Sequence, residues 1–283
     1  MTNIYSMSRA STLGEALGAP RMPLRSTMRA CLFAIVTASA VLVARPAPAA
    51  VNSTTIKVGV HRNMRAFLVT PSDPGPHPAL LVLHTSGGLE GADTGFAERL
   101  AQAGYVALVP AFMEAYGLTA RMRREAFTTD AEPIYTDLIA ALDTLRHTAG
   151  VDGTRLGAVG FSNGGYFAAW LAATGKIGAA VAYYGAFSGA GSDRDQGRFR
   201  ASFTKNSAPL LILHGADDQT VPAGAAQHLA SILAAAGSPY EMHLYPGAGH
   251  RFERSPRSDA DNAAAGDAWQ RSLAFLKEHL KQP

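Results

Sequence analysis

Five apolar runs constrain this chain more than any other feature of its 283 residues: ALLVLH (79–84), YVALVP (105–110), RLGAVGF (155–161), GAAVAYY (178–184) and PLLILH (209–214). Hardly any of them alternates with polar residues, so both faces of each strand must be covered, and strands buried on both faces belong to a parallel sheet. Segments of helix length separate most of them: near 93–103, near 133–149, from Asn163 to about Thr174, and over AGAAQHLASILAAAG (223–237). Strand and helix taking turns predicts an α/β architecture, a mostly parallel central sheet with helices on both faces.

The remaining elements fit around that centre. TTIKVGV (54–60) and MRAFLVT (64–70), joined by a turn at His61 to Asn63, read as an N-terminal antiparallel hairpin. YEMHLY (240–245) is a further strand, and the final helix, about 259–281, sets Trp269, Leu273, Leu276 and Leu280 on one stripe at helical spacing. SGAGSDRDQGRFR (188–200) is polar and glycine-rich and reads as a mobile loop. No repeat or long linker divides residues 50–283, which are expected to form a single domain.

Charge adds one exclusion. The formal charge of +3 comes from the first 49 residues, which hold five arginines against Glu15 alone and leave 20 basic against 21 acidic side chains beyond them. A body of formal charge −1 is not that of a nucleic-acid-binding protein. The same 49 residues contain an apolar run from Ala30 to Ala44 behind Arg29, then Ala47-Pro48-Ala49. That is the layout of a secretory signal peptide cut after Ala49, with Met22 or Met28 as the true start. The run is shorter than the roughly 20 residues a membrane-spanning helix needs, so the expectation is an exported protein, periplasmic or secreted, with no stable anchor after cleavage. The only cysteine, Cys31, leaves with the leader.

In open parallel sheets the ligand crevice lies beyond the carboxyl ends of the strands. The strand LGAVGF runs into Ser162, and Asn163-Gly164-Gly165 opens the next helix, the strand–turn–helix setting of an exposed nucleophile. PLLILH is followed by Asp217 and Asp218, and YEMHLY by PGAGHRF with His250. Serine, aspartate and histidine thus follow one another in the order used by hydrolases of this architecture. The chemistry needs all three, because a serine hydroxyl is a weak nucleophile without a base and the base must be oriented by a carboxylate. HTSGG (84–88) offers backbone N–H groups for an oxyanion, with Ser86 the expected first donor, Thr85 its alternative, and Asn163 the second. His84 and His214 end apolar strands without metal-ligand spacing and read as core histidines.

GFSNGG, AVAYYG, the D-x-x-V-P of Asp218 to Pro222, and GHRFER together resemble the dienelactone hydrolase family of α/β-hydrolases, over about residues 55–280. The resemblance places the acid at Asp218 and implies hydrolysis of small esters or lactones with no metal and no organic cofactor. It also implies that Arg254, four residues after His250, grips a substrate carboxylate, helped by a second arginine from Arg121, Arg123 or Arg124. Substrate contacts are accordingly expected at Arg254, Arg123 and Tyr184; core packing is the competing role of Tyr184, a solvated helix face that of RMRRE (121–125). One departure is plain: family members that cleave dienelactone use a cysteine nucleophile and a nearby glutamate, whereas here stand Ser162 and, on the loop in question, Thr85 and Ser86. A peptidase or acyltransferase on the same triad, or a non-catalytic binding protein, would share this fold.

Overall fold

Strands buried on two faces need two apolar layers, and the molecule supplies both. The structure, a computed structural model, describes residues 50–58, 62–188 and 193–281. The leader, its cleavage site and residues 59–61, which include His61 of the expected turn, lie outside those residues, while Asn63 pairs with Lys57 inside the hairpin strands. Eight strands form one sheet: β1 (Ala50–Val58), β2 (Arg62–Thr70), β3 (His77–Leu83), β4 (Val106–Pro110), β5 (Val151–Phe161), β6 (Ala179–Tyr183), β7 (Leu210–Gly215) and β8 (Tyr240–Tyr245), in the order β1-β2-β4-β3-β5-β6-β7-β8. β1 and β2 are the expected antiparallel hairpin, with Ala50 opposite Thr70 and Ile56 opposite Met64. β2 also meets β4 antiparallel, and every pair from β4 to β8 is parallel.

The longer helices are α1 (Gly91–Gln102), α3 (Ala131–Arg146), α4 (Asn163–Ala173), α5 (Asp193–Ser202), α6 (Gly224–Ala236) and α7 (Asp259–His279), and α2 (Phe112–Ala115) is a single turn. Period-two alternation divides each central strand between the layers. Leu81 and Leu83 join α3, α4 and α6 in one cluster; Leu80 and Val82 join Phe96, Ala97 and Leu100 of α1 and Ala268, Phe275 and Leu276 of α7 in the other. Every residue of α4 is buried. The helix that begins beside Ser162 is therefore fixed from all sides.

Two sequence expectations are corrected here. The segment read as a mobile loop over 188–200 contains α5. Phe199 is fully buried, 5.0 Å from the ring of Tyr166 and 5.6 Å from that of Phe203. Phe199 and Phe203, four residues apart, are the helical signal that the polar composition hid. RMRRE is not an α-helix face either: it holds parts of two 3-10 turns, Ala120–Met122 and Glu125–Phe127, its three arginines are exposed, and Arg123 and Arg124 line the cleft beside Ser162.

Candidate active site

Ser162 sits at the end of β5 with φ 51° and ψ −109°, a left-handed conformation rare for a residue with a Cβ. Such a geometry costs about 1–3 kcal/mol and persists only where its surroundings over-determine it. They do: the N–H of Ser162 donates to the Tyr183 carbonyl at 3.0 Å, and its own carbonyl accepts from Ala186 at 2.8 Å. The two flanking glycines are required by contact. A Cβ on Gly160 would lie 2.1 Å from the Gly164 carbonyl oxygen, and one on Gly164 would lie 2.0 Å from that of Leu83.

Asp218 follows β7 and divides its oxygens. Oδ1 accepts from the N–H groups of Thr220 and Val221, both at 2.8 Å, and Oδ2 meets His250 Nδ1 at 2.6 Å. Buried His214 donates from Nε2 to the Val221 carbonyl at 2.8 Å, and Asp218 Oδ2 lies 3.4 Å from the same nitrogen. Burial pushes the Asp218 pKa up, but hydrogen bonds from His214, His250 and Val221 outweigh it and hold the carboxyl well below the usual range. Asp217 faces solvent, with its N–H on the Ala248 carbonyl. Only the second aspartate of the pair can meet the histidine.

Ser162, His250, Ser86 and Asn163 line one cleft of about 530 Å³. Among the described residues nothing accepts a hydrogen bond from the N–H of Ser86 or of Asn163. The walls add Arg123, Arg124 and Arg251 with apolar Phe127, Phe187 and Val221, and among the described residues no carboxylate lines the cleft.

Two expected substrate contacts are elsewhere. Arg254 does not reach the cleft. Its side chain is 2% exposed, bonded from Nη2 to Asp93 Oδ1 at 2.6 Å and from Nε to Glu253 Oε1 at 3.3 Å, over the Phe161 ring at 4.7 Å. Asp93, on the first turn of α1, draws the guanidinium inward. Tyr184 is also fully buried: its hydroxyl donates to Glu253 Oε2, and its ring meets the His250 imidazole edge-on at 4.7 Å. It walls the histidine rather than the substrate. Arg251 is the cleft residue that sequence reasoning missed. Its φ of 64° turns the side chain back over the cleft, where Nη2 donates to Glu90 Oε2 at 2.9 Å. Its place directly after His250 was the only signal.

A nucleophile position at a strand–helix elbow, with acid and base on later strand ends of an eight-stranded sheet, defines an α/β-hydrolase. The dienelactone hydrolase family model matches residues 64–280. A protein of Escherichia coli K12 named for carboxymethylenebutenolidase activity is 31% identical over 235 residues, covering 77% of this chain and 83% of its own. One of Methylorubrum extorquens with the same name is 29% identical over 232 residues, covering 76% of each chain. The crystal structure of a protein titled as a dienelactone hydrolase from Klebsiella pneumoniae superposes with a TM-score of 0.69 at 28% identity, over 81% of this chain and 99% of that one. The chain belongs to the dienelactone hydrolase family, and it is a hydrolase acting on ester or lactone bonds.

Proposed function

We propose that the protein is an exported serine hydrolase that cleaves small carboxylic esters or lactones through an acyl-enzyme. The observation that carries this reading is the 2.6 Å contact between His250 and Asp218 at the cleft that Ser162 lines. Asp218 holds the Nδ1 proton and leaves Nε2 free as the base. His250 takes the Ser162 proton as the serine oxygen adds to the substrate carbonyl, and the oxyanion forms beside the N–H groups of Ser86 and Asn163. Collapse breaks the ester bond, with the proton passing from His250 to the leaving oxygen. Water then repeats the sequence and frees the acid and Ser162. A fluorophosphonate probe tests the reading: a single adduct on Ser162, absent after heat denaturation, is expected, and labelling elsewhere or none at all overturns it.

The walls of the cleft support one substrate class. Three guanidinium groups, with no carboxylate beside them among the described residues, favour an ester or lactone that carries a carboxylate near the scissile bond, since planar guanidinium groups pair with carboxylates in two-point contacts. Export rests on the leader alone. Mass spectrometry of the mature chain should find an N-terminus at or near Ala50, and an intact leader in a cytosolic fraction would refute export.

A further inference from the structure

The buried histidine at the end of β3 has a partner that core packing does not require. His84 is fully enclosed and stacked on Phe112, with ring centroids 4.1 Å apart and planes 12° from parallel. Burial pulls its pKa down, which keeps the imidazole neutral. Its Nδ1 lies 2.7 Å from the Thr85 carbonyl oxygen, an atom that can only accept, so the single ring proton sits on Nδ1. The same oxygen accepts from Gly88 N–H at 3.2 Å.

A peptide unit is planar and trans, so fixing its carbonyl fixes the direction of its N–H on the opposite side. The N–H opposite the Thr85 carbonyl belongs to Ser86, which lines the cleft and has no acceptor among the described residues. The backbone of the same histidine reaches the second donor segment: the His84 carbonyl accepts from Gly164 N–H at 3.1 Å, one residue beyond Asn163. Both proposed oxyanion donors are therefore referenced to one residue.

We infer that His84 is a positioning residue for catalysis: its Nδ1–H anchors the Thr85–Ser86 peptide so that the Ser86 N–H stays aimed at the oxyanion. Glu114 supports the same loop from α2, accepting from Leu89 N–H at 2.8 Å through Oε1, while its Oε2 stands 3.5 Å from His84 Nε2. The loop cannot supply the anchor by itself. Gly88, at φ 87°, and the contact of Gly87 N–H with Thr85 Oγ1 at 3.1 Å close the turn, but both belong to the segment that must be held.

The inference rests on the serine-hydrolase reading, and the test separates the two. Three variants of the full chain are compared with wild type: His84→Asn, whose amide can stand where Nδ1 stands; His84→Gln, whose amide reaches the position of Nε2; and His84→Leu, which has no donor. Each is assayed for kcat and KM on a nitrophenyl ester and for the inhibition constant of a trifluoromethyl ketone, which forms an anionic adduct on the nucleophile. Removing an oxyanion donor outright costs about 10²- to 10³-fold in kcat. Misaiming one should cost roughly 10- to 100-fold, by the same principle. His84→Leu and His84→Gln should lose that factor in kcat, weaken the ketone in parallel and leave KM within about threefold, whereas His84→Asn should stay near wild type. If the Leu variant does not fold, the Asn and Gln pair makes the same comparison with two polar side chains. Folded Gln or Leu variants with kcat and ketone binding like wild type would overturn the inference, as would a loss of kcat with unchanged ketone binding, or Asn and Gln equally impaired. A wild-type protein that takes no fluorophosphonate on Ser162 would instead sink the hydrolase mechanism, a result visible before any His84 variant is made.

Discussion

Arg251 and Arg254 stand three residues apart in one loop and have opposite fates. Arg251, in a left-handed backbone conformation, is 37% exposed at the rim of the cleft and pairs with Glu90. Arg254, 2% exposed, is locked between Asp93 and Glu253. The position that the resemblance assigns to the substrate has become part of the frame, and its neighbour has come to face the cleft. A motif fixes where the backbone runs, but one φ angle and one acidic partner on another helix decide what a side chain touches.

That contrast has meaning only if the cleft is the reactive site, so the first way to break it is the largest in effect. Ser162→Ala and His250→Ala should each cut kcat by about 10⁴ to 10⁶ on a nitrophenyl ester in folded protein. Asp218→Asn should be severe and Asp217→Asn mild. A folded serine or histidine variant with more than a tenth of wild-type activity would remove the reference point.

Arg254→Met should act on stability instead. Removing one member of a buried ion pair leaves the others uncompensated and costs about 3–5 kcal/mol, read from urea midpoints at constant slope. Its ratio of kcat/KM between a carboxylate-bearing ester and the matching methyl ester should stay near wild type. A selective loss on the anionic ester would return Arg254 to the substrate.

Arg251→Met should reverse the pattern. A two-point charge-assisted contact is worth about 1.5–3 kcal/mol, so kcat/KM on the anionic ester should fall roughly 10- to 150-fold. The neutral ester should be little affected. Stability should change by less than about 1 kcal/mol, because the pair with Glu90 is partly solvated. Equal loss on both esters would show that Arg251 does not read charge.

The smallest effect sharpens the buried side of the contrast. Burial raises the Glu253 pKa despite Arg254 and the Tyr184 hydroxyl. A carboxyl whose folded pKa lies above its unfolded value binds more protons when folded, so stability falls as pH rises between the two values. Glu253→Gln lacks that loss. The variant should therefore gain on wild type as pH climbs through and above the normal glutamate range, then hold a constant difference, by thermal melts across pH. A gain that shrinks with rising pH would contradict this sign.

Much of this was legible in the sequence for local reasons. Strand runs, helix spacing and the turn residues around Ser162, Asp218 and His250 each act over a few neighbours, and the chain order of the three side chains limits how they can meet. What was hidden depends on distant partners. Asp93 lies 161 residues from Arg254, so nothing near GHRFER announces that the arginine is taken. The sequence leaves Tyr184 open between core and cleft for the same kind of reason, since Glu253, its hydroxyl's acceptor, is 69 residues away. In the segment 188–200 a polar composition masks the helical spacing, by which Phe199 and Phe203 meet the core once per turn.

The division of the Asp218 carboxylate bears on inheritance. One oxygen closes the turn onto Thr220 and Val221 while the other holds the histidine, so the residue serves the loop whether or not chemistry follows. A descendant that abandoned catalysis would still be under pressure to keep this aspartate, because losing it would leave two backbone N–H groups to find new acceptors. Among the described residues no such second duty is visible for the imidazole of His250, whose hydrogen bond is to that carboxylate. Under the proposed mechanism, the histidine is the residue whose disappearance among lineages that share this turn would date the end of activity, and a retained aspartate would say little about it.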